Sequence, residues 1–345
     1  MKHHSRPKQR TFTTIVKWVS TPKRQLLLGF IVFFGISGIV YLSLSHGITP
    51  TASFEAESGT TVTPVTKITD STASGGSGIK FGVKPAGTVI LNTTFDNFPA
   101  SVPMSVANYK SAMGDTTMAA GTSNLVNTSL VAVSGRGNVM RQTLKASEYG
   151  SGKGIVTFPK LSTTVDEASI QYDIRFSGPS STGFEWGYGG KLPGLGGATA
   201  PTTPGTASGC NDGVSSAWSG RGMWISKGSY KSVVGNNEWI GYMYNYGKTD
   251  LCGDNIRTNK EFSNGGWHTV KQYYKLNTPG SANGIHRMWL DGVQVINNTS
   301  YKYRDNANLH INYMFWAIFR GGSTPEWGVP TTGYIDFDNL LITTP

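Results

Sequence analysis

Beyond residue 88, apolar and polar residues alternate with a period of two, the spacing of a strand that buries one face. The pattern recurs in VILNTTF (89–95), ASIQYDIRF (168–176), SGRGMWI (219–225), WIGYMYNY (239–246), WHTVKQYYKL (267–276), HRMWLDGVQVI (286–296), LHINYMFWAIF (309–319) and YIDFDNLLI (334–342). Between RMWL and VQVI, Asp291-Gly292 is the preferred pair for a two-residue type I′ turn, so a hairpin is predicted there. Val, Ile, Thr, Tyr and Trp are plentiful, the 44 glycines show no collagen period, and no long amphipathic helix is present. Strands that are each half apolar bury those halves best face to face. The expected fold is therefore all-β: a concanavalin-like jelly-roll sandwich of two antiparallel sheets over 89–345.

One segment breaks this pattern. Leu26 to Leu44 reads LLLGFIVFFGISGIVYLSL without a charge, and 19 helical residues cover about 28 Å, close to the hydrocarbon thickness of a bilayer. Residues 1–50 carry seven Lys or Arg (Lys2, Arg6, Lys8, Arg10, Lys17, Lys23, Arg24) and no Asp or Glu. Basic residues stay on the cytoplasmic side, so 1–25 reads as a basic cytoplasmic tail and 26–44 as an N-terminal transmembrane helix with the rest outside the cell. The competing reading is a cleaved signal peptide, which would secrete the remainder. The run's length and the following SHGITPTAS favour an anchor. Of the 30 basic residues, removing those seven leaves 23 against 20 acidic ones, a net of +3 within the formal +10. That balance is too mild for a general phosphate-binding surface, and no nucleic-acid partner is expected.

Residues 45–88 read as an extracellular linker. Within it, ASFEAESGTTVTPVTKITDSTASGGSGIKFG (52–82) resembles the opening of carbohydrate-binding modules of families 6 and 35. The resemblance implies a structural calcium-site glutamate at Glu55 or Glu57. The likeness stops near Phe81, and a piece this short cannot fold alone, so no binding site is assigned to it. Cys210 and Cys252 are the only two cysteines. In an oxidising compartment they are expected to form one disulfide, closing a loop worth about 3 to 4 kcal/mol on the chain-entropy model. Two ligands are too few for a metal site, and no metal or other cofactor is expected.

Several chemistries are excluded by what is missing. A glycoside hydrolase on such a sandwich needs paired carboxylates in one groove, whereas Asp173, Glu185, Asp336 and Asp338 are isolated or lie in runs that read as structural. No Gly-x-Ser-x-Gly elbow, His-Glu-x-x-His or phosphate-cradling Gly-Lys-Ser/Thr occurs. His268, His286 and His310 are scattered, and His268 in GGWHTVK reads as a packed strand residue.

What remains is a set of basic, hydroxyl and phenol groups. GFEWGYGGKLPGLGG (183–197) surrounds Lys191 with glycines and reads as a Gly-rich loop whose proline fixes a turn. In AWSGRGMW (217–224) period two puts Ser219, Arg221 and Met223 on one face, and in WIGYMYNYG (239–247) it aligns Tyr242, Tyr244 and Tyr246. Lysine, arginine, serine and phenols without a carboxylate base suit β-elimination on a uronate-containing polysaccharide. A guanidinium can neutralise the sugar carboxylate with two hydrogen bonds. A base can then take the proton on carbon 5, and an acid can protonate the departing 4-oxygen.

The same residues carry a family resemblance. YDIRF, GGKLPG, S-x-R-x-MW, Y-x-Y, G-x-WH, NTPG-x-x-NG, W-x-DG and FDN, in this order over some 250 residues, resemble polysaccharide lyase family 14, a jelly-roll family of alginate lyases and glucuronate-polymer enzymes. The resemblance implies essential roles for Lys191, for Ser219 and Arg221 of S-x-R, and for Tyr242 and Tyr244 of Y-x-Y, although Tyr244 and Tyr246 satisfy the same spacing. It also implies metal-independent cleavage of an anionic polysaccharide, and a monomer is expected. Lys191, Arg221, Tyr242 and Tyr244 are taken as catalytic, and Ser219, Tyr246, Trp316 and Arg320 as substrate-binding, with alternation silent on which face of 309–319 is buried. GGKLPGLGG lacks the aromatic often seen after the leucine, and GGATAPTTPGTASGCNDG (196–213) lengthens a loop beside the cleft. A non-catalytic, lectin-like surface protein on the same sandwich is the other class left open.

Overall fold

Seventeen strands, numbered in chain order, account for most of the computed structural model, which describes residues 65–69, 77–81, 87–118, 125–179, 183–207, 215–225, 237–250 and 252–345. All of these lie in one unit, Thr60–Pro345; the other unit, Met1–Gly59, is outside the described residues. The basic tail, the apolar run at 26–44, Glu55, Glu57 and Cys210 therefore lie outside them too. Among the described residues, no helix is long and apolar enough to cross a membrane. Of the module-like segment, β1 (Val65–Thr69) and β2 (Ser77–Phe81) form an antiparallel hairpin.

The remaining strands make two antiparallel sheets. In the first, β12 (Asp254–Glu261), β11 (Glu238–Tyr244), β10 (Ala217–Ile225), β9 (Gly189–Ala198), β16 (Ile311–Arg320) and β6 (Ile155–Thr157) lie in that order, and β7 (Lys160–Val165) also pairs with β16. The second runs β15 (Val293–Tyr301), β14 (Gly284–Leu290), β13 (Trp267–Lys275), β8 (Glu167–Ser177), β17 (Gly333–Thr344), β5 (Gly137–Leu144) and β4 (Thr128–Val133), with β3 (Thr88–Thr93) also on β17. The expected two-sheet sandwich is the fold observed. One short helix, α1 (Val106–Ala112), is capped by Ser105, whose hydroxyl accepts the Asn108 N–H at 3.1 Å. The Asp291-Gly292 hairpin also holds: both residues have positive φ, 52° and 79°, as a type I′ turn requires.

Period two explains the layering. On β10, Trp218 and Trp224 face the second sheet, as do Trp239 and Met243 on β11, and they join Tyr172, Ile174, Val270 and Phe337 in the main core. On their other face these strands carry Ala217, Met223, Ile225, Ile240, Tyr242 and Tyr244, a separate cluster. Every residue of β9, β10 and β11 is buried, so these strands are covered on both faces.

The Gly-rich segment around Lys191 is a correction: it is the central strand β9 and not a loop. Its glycines are required by its neighbours, since a Cβ on Gly190 would overlap the Trp224 ring and one on Gly194 the Gly220 backbone. Pro193, normally excluded from a central strand, sits where the register of β9 against β10 shifts between Arg221 and Met223. Its carbonyl turns inward and accepts from Tyr172 Oη at 3.2 Å and Gln272 Nε2 at 2.9 Å.

The acids read as structural behave that way. Asp336, fully buried on β17, binds Arg141 of β5 and Arg175 of β8, with closest contacts of 2.7 and 2.6 Å. Asp173 takes Arg136, Asn339 and Thr269.

Candidate active site

Three adjacent strands bring the basic and phenolic groups together. Across β10 and β11, Ser219 faces Tyr244 and Arg221 faces Tyr242; across β9 and β10, Met223 faces Lys191. The bulge at Pro193 sets this geometry, because it brings Lys191 onto the same face as Met223.

The contacts are close. Lys191 Nζ lies 3.4 Å above the centre of the Tyr242 ring and 3.0 Å from Met223 Sδ. The Arg221 guanidinium is 5.7 Å from both phenol rings and 4.1 Å from the Phe315 ring of β16. The two phenol oxygens are 3.0 Å apart, and the Gly253 N–H bonds the Tyr242 oxygen. Gly253 also packs against both rings: a Cβ there would stand 2.9 Å from Tyr242 Cζ and Tyr244 Cε2.

All four groups are nearly excluded from solvent, with Lys191 8% exposed, Arg221 4%, and Tyr242 and Tyr244 5% each. Burial, reinforced by the Arg221 charge, pushes the Lys191 ammonium well below its ordinary pKa. Burial also lowers Arg221, opposed by the neighbouring phenols. Tyr242 is pushed upward by burial and by Tyr244, so it holds its proton through the working pH range. The Arg221 Nε and Ser219 Oγ are buried and have no hydrogen-bond partner among the described residues. No carboxylate among those residues pairs with Lys191 or Arg221. A buried guanidinium without an anion is costly, so this arrangement suits a site that takes its anion from a ligand.

Not every expected residue belongs here. Trp316 and Arg320 are corrections. Along β16, Met314, Trp316 and Ile318 point into the core, while Phe315, Ala317 and Phe319 form a cluster on the side of the site. Trp316 packs on Tyr172 and Phe337 between the sheets. Arg320 is 1% exposed, lies over the Phe184 ring and donates to the carbonyls of Leu144 and Glu185. Tyr246 follows the end of β11, where its N–H bonds the Tyr303 carbonyl and its ring lies under Lys302. The Tyr-x-Tyr pair at the site is thus Tyr242 and Tyr244. Met223, Phe315 and Gly253 were missed. Met223 shares the period-two face of Arg221, and Phe315 shares that of Phe319, whereas nothing local in the sequence points to Gly253.

His268 is held as expected for a structural residue: Nδ1 meets Asp291 Oδ2 at 2.7 Å, and Nε2 accepts the Ser263 N–H at 2.8 Å. The Ser263 hydroxyl meets the same Nε2 at 2.8 Å. An imidazole nitrogen already bonded to the serine backbone closes the turn between β12 and β13. The described part of the lengthened loop ends in a 3-10 turn, Pro204–Ala207, that packs on β10, and a Cβ at Gly196 would stand 2.8 Å from the Pro204 ring. Cys252 is buried and no described cysteine is a free thiol.

A two-sheet sandwich with a lysine, an arginine and paired phenols on one sheet is the arrangement expected above of a polysaccharide lyase. The family model described as polysaccharide lyase 14 matches residues 133–340, and the chain belongs to that family. Solved structures with a similar fold include alginate lyase Aly36B, at 22% identity and a TM-score of 0.60, covering 75% of this chain and 98% of that one. An Aly36B variant in complex with an alginate trisaccharide matches at 21% and 0.61, covering 75% and 100%. The marine PL-14 alginate lyase from Aplysia kurodai matches at 22% and 0.60 over the same shares. Alginate lyase vAL-1 from Chlorella virus matches at 16% and 0.50, covering 63% and 89%. No match was found among curated proteins.

Proposed function

We propose that this lyase cleaves a uronate-containing polysaccharide of the alginate or glucuronan type by β-elimination, using side chains alone. The observation that carries the reading is a buried guanidinium, Arg221, with no carboxylate partner among the described residues, beside a buried lysine, Lys191, and two phenols. In this scheme the Arg221 guanidinium, aided by the Ser219 hydroxyl, binds the sugar carboxylate and stabilises the charge that develops on it. Lys191, whose ammonium is disfavoured by burial and by the Arg221 charge, takes the proton from carbon 5. The electrons of that C–H bond form the double bond between carbons 4 and 5 as the C4–O4 bond breaks. Tyr242, kept protonated, donates to Tyr244, leaving the Tyr244 hydroxyl to protonate the departing oxygen. Alginate lyases among the similar folds, one with an alginate oligosaccharide bound, support this substrate class.

The test follows the ultraviolet absorbance of the unsaturated product when the detergent-solubilised full chain is given alginate, glucuronan or hyaluronate. A rise is expected on at least one polymer, reduced by at least about 100-fold in Lys191→Ala and in Tyr244→Phe. Binding without a rise on any polymer favours the lectin-like reading, and hydrolysis of a neutral glucan overturns elimination. We further propose that residues 26–44 anchor the enzyme in the cell membrane with the lyase domain outside, where Cys210 and Cys252 pair.

A further inference from the structure

The Lys191 nitrogen is held by two soft acceptors. One is Met223 Sδ at 3.0 Å, and the other is the face of the Tyr242 ring at 3.4 Å. Both are placed by backbone pairing, Met223 directly across from Lys191 and Tyr242 on the next strand. Met223 is 1% exposed, so its sulfur does not exchange this contact for water. A neutral amine has two N–H bonds and one lone pair. With one N–H aimed at sulfur and one at the ring face, the lone pair points away from both. Thioether and ring each accept an N–H, and neither stabilises an ammonium as a carboxylate or carbonyl does. The Arg221 guanidinium on β10 acts on the nitrogen through its charge, and on β16 the apolar Phe319 lies directly across from Lys191 in the sheet.

We propose that Met223 is a positioning residue for the elimination: its sulfur and the Tyr242 ring together orient Lys191 so that its lone pair faces the sugar proton. This rests on the reading of Lys191 as the base. It accounts for a methionine beside a lysine and an arginine, where an oxygen acceptor would hold the lysine as an ammonium.

Two substitutions in the full-length enzyme test it. Met223→Leu keeps the apolar bulk and removes the acceptor, whereas Met223→Gln keeps the length and supplies an oxygen. Met223→Leu is expected to lower kcat on the order of tenfold with KM unchanged. Met223→Gln is expected to move the acid limb of the kcat profile up by about one pH unit, and the carbon-13 titration of the Lys191 side chain with it. Unaltered kcat in Met223→Leu, or an unmoved Lys191 titration in Met223→Gln, overturns the proposal. Failure of the base reading is visible separately, as turnover that survives Lys191→Ala.

Discussion

Burial acts differently on the groups of this protein according to their charge. Lys191 loses its proton readily because its charged form is buried, while Tyr242 keeps its own for the same reason. His286 shows the effect with no partner at all: it is fully buried, stacked on Tyr274, and both ring nitrogens lack a hydrogen bond. Its pKa is lowered from 6.5 to about 3, so below pH 6.5 the unfolded chain takes up a proton that the folded one refuses. Stability is therefore lost as pH falls from 6.5 toward 3. Between pH 7.5 and 5 this one group accounts for about 2 kcal/mol. Urea unfolding of His286→Leu should show that much less acid sensitivity than the wild type. The paired residues of the site were legible because Ser219, Arg221, Tyr242 and Tyr244 lie on strands whose alternation is plain. Trp316 and Arg320 were not, because alternation sorts residues into two faces without naming the inner one.

At the scale of elements, β9 was the hardest to read. Glycine and proline ordinarily argue against a strand, and GGKLPGLGG has both. Here the glycines answer the Trp224 ring and the backbones of flanking strands, and the proline occupies the bulge. Those are demands of distant residues, invisible in a local window. The segment at Gly253 is a similar case, since it bears on the phenols of β11 only through the folded backbone. Gly253→Ala should press a methyl group onto both rings and disturb the 3.0 Å contact between their hydroxyls. Turnover is expected to drop on the order of tenfold or more while circular dichroism stays that of the wild type. An unaffected rate would show that the pair tolerates displacement.

For the whole molecule, the two-sheet architecture was legible from period two alone, since every long strand from β8 onward except β9 and β12 carries it. The three-residue β6 and the irregular β7 and β12 were not, being too short or too polar to register as a pattern. The charge distribution has its own consequence. With the basic excess gathered at residues 1–50, the full chain is expected to sediment with membranes and, on the proposed anchoring through 26–44, to resist extraction by salt, since the hydrophobic effect is not screened by ions. Release by high salt alone would point to adsorption through the basic tail.

The groups proposed to react stand on strands whose reverse sides, through Trp218, Trp224 and Trp239, are the interior of the sandwich. Catalyst and scaffold are thus two surfaces of one fabric. With Lys191, Arg221 and both phenols on paired strands rather than on loops, heat is expected to silence this enzyme only at the temperature that melts it.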